Sequence, residues 1–134
     1  KLIHQLLEAA GHRVHAYDIV KDEPSEIESQ LRILRADPLV QVICCTGGTG
    51  IAKRDTTIEV VQRMLDKRLD GFGELFRMLS YEEIGPAAMM SRACAGTARG
   101  KIIVSLPGSE NAVRLGMTKL LIPELGHLVR ELSR

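Results

Sequence analysis

The residues best suited to chemistry crowd into one stretch, TGGTGIAKRDTT, which runs from Thr46 to Thr57 directly after an apolar segment. Gly47, Gly48 and Gly50 have no Cβ, so the backbone can turn sharply there and bring its N–H groups against an anion. The helix expected to follow adds a favourable dipole. A tight strand-to-helix turn explains the same glycines without a ligand, and the residues alone leave both readings standing. Two familiar phosphate loops are excluded by spacing. Lys53 lies between Ala52 and Arg54, so there is no G-K-[ST], and G-x-G-x-x-G does not fit. Asp55 is placed to cap the following helix. Because a carboxylate beside a phosphate would repel it, the chemical alternative is that Asp55 holds Mg2+, with Lys53 and Arg54 balancing phosphate charge.

Smaller groups stand elsewhere. Asp22, in KDEP, suits a turn ahead of a helix and is also a free carboxylate. Ser91 and Arg92 fall in a stretch that reads as helical, where Arg92 is either a surface arginine or a bidentate phosphate clamp. In LPGSENA, Pro107 and Gly108 shape a turn and Ser109 is a natural N-cap, although free amides at that turn could also bind an anion. His4, His12, His15 and His127 share neither a loop nor a metal-ligand spacing.

Alternating helices and strands must position these residues. Leu2, Ile3, Leu6, Leu7 and Ala10 repeat at helical spacing and Gly11 follows as a stop. HRVHAYDIV, residues 12–20, reads as a strand. A helix opens at Ser25 with a Ser25–Glu28 capping box, buries Ile27, Leu31 and Leu34, and closes at Asp37 and Pro38. Residues 39–45 read as a strand covered on both faces. After the glycine loop a Thr56–Glu59 capping box starts a helix carrying Ile58, Val61 and Leu65. Two shorter helices, at 71–83 and 85–96, are separated by Gly85 and Pro86. KIIVSL is a third buried strand, and residues 110–132 are helical with an interruption at Pro123. The pattern predicts one α/β domain over residues 1–134, three-layer α/β/α with a mostly parallel sheet. Ligands of such sheets bind beyond the carboxyl ends of the strands, which is where KDEP, the glycine loop and PGS lie. A domain of this type that opens on an amphipathic helix is expected to carry a strand and a polar loop ahead of Lys1.

Composition removes some functions. A net charge of +1 and 3% aromatic residues provide neither a field nor stacking platforms for nucleic acid. No apolar run is long enough to span a membrane. Cys44 and Cys45 are neighbours that a strand turns to opposite faces, so with Cys94 they read as small buried hydrophobes of a reducing compartment, the cytoplasm. Phe72, Phe76, Met78 and Tyr81 read first as core and next as a subunit interface.

Together TGGTGIAKRDTTIE, GFGELFRMLSYEEIG, SRACAG and LPGSENAV resemble the molybdenum cofactor biosynthesis protein B and molybdopterin adenylyltransferase family, which includes gephyrin-type domains. The likeness runs in order along nearly the whole chain, and GFGELFRMLSYEEIG is similar to the bacterial and archaeal B-type members. The resemblance implies that molybdopterin and MgATP give adenylyl-molybdopterin and pyrophosphate, with Asp22 and Asp55 as the catalytic, Mg2+-holding carboxylates. It implies that Thr46, Gly47, Gly48, Thr49, Gly50, Arg54, Ser91, Arg92, Pro107, Gly108 and Ser109 line the nucleotide and pterin pockets. It also implies a trimer or hexamer and a molybdate-insertion protein as a partner. Some B-type members lack the Arg-Asp pair, which this chain keeps as Arg54 and Asp55. The alternative from the same fold is a non-catalytic molybdopterin-binding or scaffold protein.

Overall fold

A computed structural model describes residues 1–134. Helix α1 (Leu2–Ala9) stops where Gly11 takes a φ of +89°, and the His12 N–H closes on the Leu7 carbonyl at 2.9 Å. Helix α2 (Pro24–Ala36) begins at the proline, whose fixed φ and missing N–H suit the first helical position. The expected Ser25–Glu28 box therefore does not form, and Glu28 pairs with Arg32 and Arg63 instead. Strand β1 (Val42–Thr46) leads through the glycine loop to α3 (Thr57–Met64), a two-residue strand β2 (Lys67–Arg68) and α4 (Asp70–Ile84). Gly85, at φ +72°, ends α4, and a 3-10 turn, Gly85–Met90, follows. Strands β3 (Cys94–Ala98) and β4 (Lys101–Leu106) come next, then α5 (Glu110–Leu115), a π-helical turn (Gly116–Leu121) and α6 (Ile122–Leu132). Pro123 does not interrupt this last stretch. It cannot donate a backbone bond, and the wide turn just before it carries the chain from α5 into α6.

The four strands form one sheet in the order β1–β4–β3–β2. Only β1 and β4 are parallel; the other two ladders are antiparallel. The sheet is thus mixed, and residues 91–100 account for its having fewer parallel ladders than the expected mostly parallel sheet. Their alanines suggested helix, but Ala93, Ala95 and Ala98 are nearly inaccessible in and beside a strand. Gly96 shows why small residues stand there: a Cβ on it would lie 2.4 Å from the Lys67 carbonyl oxygen, so β2 can approach β3 only across a glycine. Arg99 and Gly100, at φ +50° and +79°, supply the left-handed pair that a tight hairpin requires.

Residues 12–20 do not form the expected strand. Residues 13–20 donate and accept no backbone–backbone hydrogen bond, and Tyr17 and Ile19 are exposed. A strand exists only by pairing, and no ladder reaches this segment. A groove of about 1050 Å³ is lined instead by residues of this segment, of β1 and of α1, α2 and α6.

Helices cover both faces of the sheet, as the three-layer reading requires. On one face Ile102, Val104 and Leu106 of β4 pack with Phe76, Met117, Leu121 and Leu125. On the other, Ile43 and Ile103 meet Ile27 and Leu31 of α2 and Val60, Val61 and Met64 of α3. Complete burial of each such aliphatic side chain contributes about 1.5–3 kcal/mol. Cys44 and Cys45 go to opposite faces, as alternation demands.

Candidate functional site

Strands β1 and β4 end side by side, with Thr46 opposite Leu106, so the loops that leave them emerge together. The Gly47 N–H bonds the Leu106 carbonyl at 2.8 Å, and a Cβ on Gly108 would stand 3.6 Å from the Gly47 Cα. The Pro107–Ser109 turn therefore lies against the glycine loop. Gly48, at φ +67°, folds the loop onto α3 so closely that a Cβ would meet the Thr57 hydroxyl at 2.4 Å.

The loop's backbone is asymmetric in its bonding. Three successive carbonyls are taken: Gly48 O accepts from Ile58 N at 3.2 Å, Thr49 O from Arg92 N at 3.0 Å, and Gly50 O from the Arg92 guanidinium at 3.0 and 2.6 Å. Its amides are not. The N–H groups of Gly48, Thr49, Gly50 and Ile51 donate to no protein acceptor. Four consecutive amides without a protein acceptor in a strand-to-helix loop are a donor set of the kind that can bind an anion.

Asp55 belongs to this loop rather than to the helix after it. Its Oδ2 accepts from Ala52 N at 2.9 Å and lies so near Gly50 that a Cβ there would approach it to 2.7 Å. Thr56 occupies the N-cap position of α3 without a side-chain cap bond, and its buried hydroxyl has no partner. The expected Thr56–Glu59 box is absent because the Glu59 carboxylate is held by Arg92, a stronger, charge-assisted contact. Arg92 thus spends its donors on Gly50, Asp55 and Glu59, which makes it a support of the loop. Ser91 accepts from Ala93 N, and Ser109 caps α5 through Ala112 N at 3.2 Å. Lys53 and Arg54 are exposed and make no ion pair.

Asp22 is exposed and borders the large groove together with Thr46, Thr57 and Gly108. The structure brings Thr46–Gly50, Asp55, Arg92 and residues 107–109 together; it shows no contact between Asp22 and Asp55. No group of three or more His, Cys, Asp or Glu side chains is gathered for a metal ion. The residue missed from sequence is Glu59, whose helical position suggested a cap and whose distant arginine partner left no local signal. Burial pushes the Cys44 and Cys45 thiols up to about 12 and Cys94 up to about 11, which disfavours the reactive thiolate.

The family described as "Probable molybdopterin binding domain" matches residues 1–127. Molybdenum cofactor biosynthesis protein B of Halalkalibacterium halodurans is 54% identical over 134 residues, which is 99% of this chain and 79% of that protein. The chain belongs to this family of molybdenum cofactor biosynthesis proteins. The Bacillus subtilis protein B is 50% identical over 135 residues, covering 100% of this chain and 79% of that relative. Among solved structures, a molybdenum cofactor biosynthesis protein B superposes with a TM-score of 0.96 at 53% identity, over 99% of this chain and 83% of that one. The tungsten cofactor synthesizing protein of Pyrococcus furiosus gives a TM-score of 0.86 at 40% identity, over 99% and 83% of the two chains. No helix of this family member is long and apolar enough to cross a membrane.

Proposed function

We propose that the protein binds molybdopterin and adenylylates it with ATP. The observation that carries this reading is the run of unpaired amides from Gly48 to Ile51, set beside the Pro107–Ser109 turn and followed by a helix. The terminal phosphate oxygen of molybdopterin attacks the α-phosphorus of ATP in line. A new P–O bond forms, the bond to the bridging oxygen breaks, and pyrophosphate leaves. The chain contributes by position and charge: loop amides hold phosphate oxygens, and exposed Arg54 and Lys53 offset the charge of the leaving group.

Asp22 and Asp55 fit Mg2+ in donor chemistry. They offer only oxygen, Asp22 has no protein partner, and Asp55 keeps Oδ1 free while Oδ2 accepts from Ala52. Bound Mg2+ supplies charge neutralisation at phosphate oxygens. Incubation with molybdopterin and MgATP is expected to release pyrophosphate and form adenylyl-molybdopterin; EDTA is expected to abolish this and added Mg2+ to restore it. Turnover in metal-free buffer would remove the carboxylates' metal role. Tight molybdopterin binding without pyrophosphate release selects the non-catalytic reading, which the Ala52–Asp55 bond favours by occupying one carboxylate oxygen.

The product would pass to a molybdate-insertion protein. Leu75, Met78, Tyr81, Ile84 and Met89 are exposed on and just after α4, and this apolar surface supports self-association as a trimer or hexamer. A monomer by light scattering at micromolar concentration would rule that out.

A further inference from the structure

A planar trans peptide points the N–H of one residue opposite to the carbonyl of the residue before it, and this chain has no cis bond. The carbonyls of Gly48, Thr49 and Gly50 are each bonded to α3 or to Arg92, so the N–H groups of Thr49, Gly50 and Ile51 each point away from their bonded carbonyls. Arg92 controls two of these three peptides, one through its backbone N–H and one through its guanidinium. The same guanidinium reaches the Asp55 carbonyl at 3.1 Å, so the middle of the loop and its end before α3 are tied to one group. Glu59 fixes that group in turn. Both of its oxygens accept from Arg92, the Nη2 contact at 3.2 Å and a closer one from Nη1.

We propose that Glu59 and Arg92 are positioning residues of the nucleotide site: the pair aims the Gly50 and Ile51 amides at a phosphate of the nucleotide without touching it. This rests on the reading of the glycine loop as a phosphate cradle. A half-exposed ion pair adds little to stability by itself, and a loop tied at several carbonyls gains direction more than it gains energy. Preorganised donors are what such a site requires, because amides that must reorient when the ligand arrives lose most of their advantage.

The test compares Glu59→Gln, Glu59→Ala, Arg92→Lys and the Glu59→Ala/Arg92→Lys double variant in the adenylylation assay with full-length protein. Lysine keeps the charge but cannot reach Gly50, Asp55 and Glu59 with one planar fork. The expected result is a KM for ATP raised about 10-fold in Glu59→Ala and in Arg92→Lys, less than the full loss of a preorganised donor. The KM for molybdopterin is expected to stay unchanged. Glu59→Gln, which keeps an acceptor, is expected to retain most of the function. The double variant should be no worse than either single one, because both act through one contact. Amide exchange at Ile58 and Arg92, the donors to Gly48 O and Thr49 O, should quicken in the same variants. A lowered Tm with unchanged KM for ATP and unchanged exchange would make the pair merely structural. Effects that multiply in the double variant would place Arg92 on the ligand itself and overturn the proposal. If the unsubstituted protein neither binds nor turns over ATP, the phosphate reading falls, and the Ile58 and Arg92 exchange rates still decide whether the pair orients the loop.

Discussion

Two stretches without regular secondary structure, the glycine loop and residues 12–22, behave as opposites. In the loop three successive carbonyls and the Asp55 side chain are bonded to the protein, and a row of four consecutive amides is left without a protein acceptor. In residues 13–20 no backbone group is bonded to another. Both are written as coil, yet the first is held in one conformation by its partners and the second rests on side-chain contacts alone. Irregular backbone becomes a site when its unpaired groups are few and aimed; when all are unpaired, water satisfies them and no direction is fixed.

Hydrogen exchange tests that contrast at its widest. Amides of residues 13–20 are expected to exchange about 10³-fold or more faster than those of β4, which is paired on both sides. Mass spectrometry of the 134-residue chain reads this directly. Protection over 13–20 equal to that of β4 would mean that the segment has bonded partners and the contrast is false.

The next largest effect is chemical. Asp55→Asn keeps an oxygen to accept from Ala52 N, so the loop should hold its shape while the negative charge is lost. By comparison with the loss of one preorganised electrostatic contact, adenylylation is expected to fall about 10²-fold or more with little change in Tm. Asp22→Asn should do the same, because that carboxylate has no structural partner to lose. If either variant keeps near-normal turnover, its carboxylate is not part of the reaction.

Sequence reading caught what local pattern encodes and missed what partners decide. The amphipathic spacing of Leu2 to Leu7, the unbroken apolar run of KIIVSL and the glycines beside Thr46 each carry their structure locally, and α1, β4 and the loop stand where they were expected. Strand β3 did not show, because Ala93, Ala95 and Gly96 were chosen by how closely β2, β4 and the helices approach, a tertiary demand that mimics helix propensity. Residues 12–20 failed the other way, having strand-like composition and no ladder. The same holds within the site: the loop was legible from glycine spacing, whereas the roles of Glu59 and Arg92 depend on a pair 33 residues apart in the chain.

Two glycines sharpen the comparison on the scale of stability. Gly48 and Gly11 both have positive φ, but a Cβ on Gly48 would collide with Thr57, whereas one on Gly11 would meet nothing within 4 Å. Gly11→Ala is expected to cost about 1 kcal/mol for its backbone conformation alone. Gly48→Ala adds overpacking to that strain and should cost about 2–4 kcal/mol, besides weakening ATP binding. Thermal or denaturant unfolding of the two variants decides it, and equal losses would show that the loop is no more tightly held than the end of α1.

The smallest effect concerns what ties residues 12–22 to the body of the protein. The His15 ring lies 3.0 Å from the Asp37 carboxylate, just beyond α2. The Asp37 carboxyl is held below its ordinary range, first by the Leu39 N–H that bonds it; desolvation opposes this as the next largest effect, and smaller contributions from His15 and Lys101 add to the lowering. A carboxyl depressed in the folded state stabilises the fold at pH values above its unfolded pKa of about 3.9, and that contribution disappears as pH falls through the lower folded value. Asp37→Asn should therefore be slightly less stable than the unsubstituted chain at pH 6, and the gap should narrow steadily below about pH 4. His15→Gln, which removes one of the secondary causes and leaves the Leu39 bond, should show a smaller gap with the same sign. Paired Tm measurements between pH 6 and pH 3 give the answer. A gap that widened on acidification would mean that the carboxyl is destabilised in the fold, and the tie between the loose segment and the body would have to be sought elsewhere.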